Sequence, residues 1–252
     1  MGGFVSRVMV NPRIEIDRAE FPFCLPVLRE FERLDLHPNV TFFIGDNGSG
    51  KSTFLEAIAT NYGFPAEGGS RNHQFSTYDS HTDLGDKLIL GKPDHPKTSY
   101  FFRSETFYNF ATYLERSALE LEVPDVPKFG WTHKRSHGEG FLDTMNALEP
   151  NGLYLMDEPE AALSVQGQFT FLAHMKRLVD AGSQFIIATH SPILMAYPNA
   201  RIFMFGDDAI REVRYEETEH YTVTRDFLEH RETMLRELLQ SPQMELDEAD
   251  EK

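Results

Sequence analysis

The sequence predicts an α/β domain with a mostly parallel central sheet flanked by helices and an antiparallel β part at its N-terminal end. Three observations carry this. Apolar runs rich in β-branched and aromatic residues recur at 40–44, 153–157 and 184–188, and each reads as a buried strand. Stretches with helical spacing follow them, so strand and helix alternate as a parallel sheet requires. Residues 4–17 instead alternate apolar and polar side chains (Phe4, Val5, Val8, Val10, Ile14, Ile16), the pattern of one or two strands.

Length and charge narrow the classes. At 252 residues, 40% hydrophobic and 12% aromatic, the chain can build the core of one large domain, or of one domain with an insertion. A formal net charge of −16 argues against a surface that coats nucleic acid by bulk attraction, so any such contact needs a local basic patch. The single cysteine, Cys24, cannot form an intrachain disulfide and suits a reducing compartment. Met1 to Arg7 shows no apolar targeting segment, and no apolar run approaches the ~18 residues of a membrane span. The expectation is a soluble, cytoplasmic protein with no membrane insertion.

Taken in order, Phe21-Pro22-Phe23 reads as a turn and Leu25 to Leu34 has helical spacing. Phe21 or Phe23, just upstream of a glycine-rich loop, is a candidate to stack on a base, with a core position as the competing reading. Val40–Ile44 is a strand and Phe54–Ala59 lies in a helix. Residues 62–97 are full of turn formers around one short apolar piece, Lys87–Leu90, and read as an irregular insertion over the site; its His73, His81 and His95 lack metal-ligand spacing. Ser99–Phe102 resumes a strand, and Ser104 is placed to cap a helix from about Glu105 to Glu122, stopped by Pro124. A loop over 123–135 carries Trp131 and the basic cluster His133-Lys134-Arg135, before a helix from about Glu139 to Leu148. Then follow strand 153–157, a helix over about 166–181 ended by Gly182, and strand 184–188. A short helix at 191–197, strands 201–205 and 209–214, and a helix from about Thr224 to Gln240 complete the order. The predicted organisation is a single domain over 1–240, with 104–148 as a helical subregion and 241–252 as an acidic tail.

The chemistry begins at Gly45-Asp46-Asn47-Gly48-Ser49-Gly50-Lys51-Ser52-Thr53, which fits G-x-x-x-x-G-K-[ST] between a strand and a helix. Its glycines let successive N–H groups curl toward phosphate oxygens, and the helix N-terminus adds positive potential. Lys51 is expected to reach the β- and γ-phosphates and Ser52 to ligate Mg²⁺. A second element is the strand ending in Asp157-Glu158-Pro159. Asp157 is expected to hold Mg²⁺, and Glu158 to orient and deprotonate the attacking water. The strand at 184–188 runs into Thr189-His190-Ser191, where His190 can sense the γ-phosphate. In parallel sheets ligands collect at strand C-termini, where all three motifs lie.

In this order the elements resemble the ABC-class ATPase head, the P-loop NTPase fold of ABC-ATPase type, over about residues 30–205. Gly45–Thr53 resembles its Walker A loop, Met156–Pro159 its Walker B, Glu160–Ser164 its D-loop and His190 its switch histidine. Arg135-Ser136-His137-Gly138-Glu139-Gly140 resembles its signature, with Ser136 and Gly138 matching and Arg135, His137 and Glu139 departing. The glutamine expected at the end of strand 99–102 is missing; Glu105, as a further metal-site residue, or Gln74 stands in for it. The motifs are most similar to small stand-alone bacterial AAA family ATPases grouped with SMC- and RecF-like heads.

What the resemblance implies is an ATP-binding, Mg²⁺-dependent hydrolase that dimerises around ATP, with Ser136, Gly138 and Glu139 contacting the nucleotide of the partner subunit. Such a homodimer would switch a nucleic acid or a protein encoded beside it, in repair or defence. The alternatives are the nucleotide-binding subunit of an ABC transporter, disfavoured by the altered signature, and an ATP-gated module without hydrolysis, disfavoured by the intact Asp157-Glu158 pair. No Asn-Lys-x-Asp motif for guanine is present, which favours ATP over GTP.

Overall fold

The computed structural model describes residues 3–70, 83–103, 145, 146 and 148–239. Its centre is β3 (Val40–Gly45), buried at every position. Around it lies a seven-stranded sheet of order β10-β9-β3-β8-β7-β6-β4. Its members are β4 (Gly69–Ser70), β6 (Thr98–Arg103), β7 (Gly152–Asp157), β8 (Gln184–Ala188), β9 (Arg201–Phe205) and β10 (Ile210–Val213). The five inner strands run parallel, and β4 and β10 pair antiparallel at the edges. This is the predicted mixed α/β phosphate-loop architecture.

Burial on both faces explains why these strands read as continuous apolar runs. Leu153 and Leu155 of β7, Ile186 and Ala188 of β8 and Phe43 of β3 face one core cluster, shared with α2 (Lys51–Tyr62). Tyr154, Met156, Phe185, Ile187, Phe42 and Ile44 face the other, shared with α3 (Val165–Asp180). Register then fixes the site. Asp157 lies beside Ala188, and Ala188 beside Phe43, so β3, β7 and β8 end at one level on one edge.

The antiparallel N-terminal part is a separate three-stranded sheet of order β2-β1-β5, from β1 (Arg7–Val10), β2 (Arg33–Asp35) and β5 (Leu88–Gly91). Of the one or two strands expected over 4–17 there is one, β1: Pro12 offers no N–H, and the Asn11 side chain accepts from Arg13 N (3.0 Å), which turns the chain. The helical spacing over 25–34 yields only one turn, α1 (Pro26–Arg29), because Arg33–Asp35 pairs with Arg7–Met9 instead. Pairing across the chain overrides local spacing.

The described parts of 62–97 are also more regular than predicted. Leu88–Gly91 pairs with Arg7–Val10, and Asn61 of α2 donates to the carbonyls of Gly85 and Leu88, both at 2.9 Å. A side chain at Gly85 would meet Thr60 Oγ1 at 2.3 Å, so this segment lies hard against α2 and belongs to the framework. His95 is exposed, as expected, while His73, His81 and Gln74 lie outside the described residues.

At the C-terminal end, the single helix expected from Thr224 is two. Thr218 accepts from Tyr221 N through its hydroxyl and starts α4 (Glu219–Glu229); α5 (Arg231–Leu239) follows after His230. Two contacts seat the start of α4 on the chain after β8: Tyr215 Oη donates to the Pro192 carbonyl (2.9 Å), and Thr218 Oγ1 lies 3.7 Å from Met195 Sδ.

Candidate active site

The glycine-rich loop leaves β3 through Gly45 at φ +141°, where a Cβ would stand 2.5 Å from the Phe205 carbonyl oxygen. Gly50, at φ +96°, is the N-cap of α2 and no side chain caps it. The first-turn amides of α2 therefore face the loop without a competing side-chain acceptor. Lys51 is 4% exposed, and its ammonium donates to the carbonyls of Gly45 (2.9 Å) and Asp46 (2.7 Å). Burial pushes its pKa down, against the opposing pull of Glu158, Asp157, Asp46 and Glu160. A cation so desolvated gains strongly from a bound anion. The Ser49 hydroxyl is buried with no hydrogen-bond partner.

One turn into α2, Ser52 Oγ donates to Asp157 Oδ1 at 2.9 Å, joining the two motifs. Beside this pair lies a residue that sequence reasoning missed. Arg103, the last residue of β6 and the register neighbour of Asp157, brings Nε to 3.8 Å from Asp157 Oδ2. Its Nη1 donates to Glu56 Oε2 (2.7 Å) and to the Ala66 carbonyl (3.0 Å). The available signal was a lone cation closing an apolar strand next to the acidic one. Glu105, two residues further on, lies outside the described residues, as do Ser136, Gly138 and Glu139 and the basic cluster.

Glu158 follows Asp157 in the left-handed conformation, φ +49°, rare for a residue with a side chain. Its N–H donates to the Ala188 carbonyl (2.9 Å), while its carboxylate stays 43% exposed with Oε1 3.6 Å from His190 Nε2. His190 is held at the backbone, where its N–H donates to Glu160 Oε1 (2.6 Å). Burial raises the Glu160 pKa, partly offset by that hydrogen bond. Across the His190 ring stands His220 of α4, its Nε2 3.3 Å from His190 Nδ1. Nothing in the sequence linked His220 to this site, since α4 folds back to it only through tertiary packing.

The structure thus brings together Gly45–Ser52, Asp157, Glu158 and His190, with Thr53 half-buried in the same turn of α2. A cavity of about 630 Å³ opens along Asp46, Asn47 and Gly48, with Leu25, Pro26 and His220 on its far wall. Of the two aromatics, Phe23 is a fully buried core residue, with Arg18 and Lys87 over its ring, and Phe21 is 55% exposed. Among the described residues no group of three His, Cys, Asp or Glu stands ready to hold a metal, and no helix is long and apolar enough to cross a membrane.

Residues 22–110 match the family model described as an AAA domain, a stretch that contains the loop, its strand and its helix. Over that stretch the chain is similar to AAA domains, in keeping with the phosphate loop read at Gly45–Thr53. Among solved structures, the chain is similar to an SMC head bound to the C-winged helix domain of ScpA, at 17% identity and TM-score 0.43, covering 72% of this chain and 92% of that one. It is also similar to the SMC head domain from Thermotoga maritima, at 15% identity and TM-score 0.46, covering 83% and 99%. No curated protein matches.

Proposed function

We propose that the chain is a Mg²⁺-dependent ATPase that closes as a head-to-tail homodimer around ATP and opens after hydrolysis. The observation that carries this reading is the convergence of Lys51, the Ser52–Asp157 pair, Glu158 and His190 on one sheet edge. The residues fit the groups implied. Glycines 45, 48 and 50 all take positive φ, the backbone such a loop needs and L side chains resist, and Ser49 Oγ and His190 Nε2 are buried polar atoms without a hydrogen bond. Ser52 and Asp157 make the sparse oxygen donor set that suits Mg²⁺, a cation that keeps waters and substrate phosphate in its shell.

In this mechanism the amides of Gly45–Ser52 and the Lys51 ammonium bind the phosphates and neutralise their charge. Ser52 and Asp157 hold the metal, with Glu105 completing its surroundings. Bound Mg²⁺ supplies Lewis-acid neutralisation of the phosphate oxygens. Glu158 accepts the proton of the attacking water, a task its exposed carboxylate and left-handed backbone allow. His190 donates toward the γ-phosphate. Ser136, Gly138 and Glu139 of the second subunit complete the nucleotide site, so ATP binds the closed dimer better than the open one. The switch is read as cytoplasmic and as acting on nucleic acid or a partner protein, on the strength of the resemblance.

The test is Glu158→Gln. Phosphate release should fall about 10²–10⁴-fold while ATP affinity, read by equilibrium binding, changes little. Turnover at the wild-type rate would remove Glu158 from its role. Wild-type turnover measured with and without duplex DNA then asks whether nucleic acid is the target.

A further inference from the structure

Two imidazoles face each other at the edge of this site, and their geometry constrains where the protons sit. His190 Nδ1 and His220 Nε2 are 3.3 Å apart, so one of the two must donate. On the other side of the His190 ring, Nε2 lies 3.6 Å from Glu158 Oε1. A lone pair on Nε2 would face that carboxylate and be repelled, whereas an N–H is attracted. That carboxylate is half exposed and beyond hydrogen-bond distance, so it only biases the proton of His190 toward Nε2; a donor at Nδ1 fixes it there, which makes Nδ1 an acceptor and His220 Nε2–H the donor. His190 Nε2 and His220 Nδ1 are then the two ring nitrogens left buried with no hydrogen-bond partner.

We infer that His220 is a positioning residue that fixes the Nε2–H tautomer of His190, aiming a donor rather than a lone pair at the catalytic edge. The inference rests on the reading of His190 as facing the γ-phosphate. It requires both rings to be neutral, and their surroundings favour this: burial first, then the Lys51 ammonium, lowers the pKa of each. The charged groups facing the pair are Lys51 from α2, Asp46 from the loop, Glu158 and Glu160 after β7, and Glu219 on α4 itself. Carboxylates pull both pKa values back up, but burial and Lys51 prevail.

The position of His220 gives this contact a second consequence. It is the second residue of α4, whose start is seated by Thr218 and Tyr215 on Met195 and Pro192, directly after His190. A force on the C-terminal helices that shifts α4 would withdraw the donor and release the His190 ring.

Nitrogen-15 NMR of the histidine ring nitrogens tests this on the whole, nucleotide-free chain, with the His190 signals identified by their loss in His190→Asn. The wild type should show His190 as one Nε2–H tautomer. His220→Ala should give a mixture or the Nδ1–H form, and His220→Gln should restore Nε2–H, because its amide nitrogen reaches the place of the lost donor. His220→Asn, with its nitrogen too close to the backbone, should behave as Ala does, and stands in if the Ala variant does not fold. In steady state, kcat for ATP should drop about 10–100-fold in His220→Ala with KM nearly unchanged, and Gln should recover most of it. The His190 titration midpoint should rise in His220→Ala, because the N–H donated to the Nδ1 lone pair, which stabilises the neutral ring, is lost. His190 remaining wholly Nε2–H in His220→Ala and His220→Asn would overturn the inference. A wild type that binds but never hydrolyses ATP would instead overturn the ATPase reading, and the NMR result would still decide the tautomer.

Discussion

Removing Glu56 is the substitution whose cost the geometry defines best. Its carboxylate meets Arg103 Nη1 at 2.7 Å, with side chains only 13% and 19% exposed. The next carboxylate to which Arg103 is drawn is Asp157, 3.8 Å away and already accepting from Ser52. In Glu56→Gln the guanidinium keeps its place but loses its full counter-charge, and breaking a buried pair from one side costs about 3–5 kcal/mol. For a chain of this length that is a fall in Tm of roughly 6–20 °C, at about 2–4 °C per kcal/mol. The double variant Glu56→Leu with Arg103→Met removes both charges and should lie close to the wild type. Urea unfolding of Glu56→Leu, Arg103→Met and the double closes the cycle. A second readout is Mg²⁺: with Glu56 gone, Arg103 is drawn to Asp157, and the metal concentration needed for half-maximal turnover should rise. A cost below about 1 kcal/mol, the level of an exposed pair, would refute the claim that this pair is buried support for Asp157.

Three further outcomes follow from the same geometry. Glu160 has a raised pKa, so between its ordinary value and the raised one the folded state holds a proton that the unfolded state has lost. Stability therefore falls as pH rises through that window and the penalty persists at neutral pH. Glu160→Gln keeps an acceptor for His190 N–H, and should flatten that pH dependence and raise Tm at pH 7. Gly45→Ala places a methyl 2.5 Å from the Phe205 carbonyl at φ +141°, and should cost at least about 1–3 kcal/mol of stability and abolish ATP binding in a binding assay. Lys51→Met removes a buried charge whose pKa is already depressed, so nucleotide-free stability should hold or rise while ATP no longer raises Tm.

The sequence made the catalytic edge legible because its parts are constrained within short segments. The loop glycines answer to backbone conformation at 45, 48 and 50, and the runs at 153–157 and 184–188 to burial on both sheet faces. The strand boundaries at 184–188 and 201–205 agree with the structure residue for residue for the same reason. The N-terminal sheet was only half legible. Arg33–Asp35 looks helical in isolation and becomes a strand because Arg7–Met9 stands beside it, information carried 26 residues away. Arg103 and His220 were missed as site residues for a related reason. Each reaches the site through packing of a distant element, and a charged residue at a strand end or helix start looks like solvated surface until its neighbour is known.

Whether ATP closes two copies of this chain head to tail is met most directly by light scattering on Glu158→Gln with and without Mg·ATP. The expected result is a monomer that becomes a dimer only with Mg·ATP and returns to monomer when Ser136→Arg is added. A mass that stays monomeric in ATP, or dimeric without it, would rule out the ATP-closed dimer.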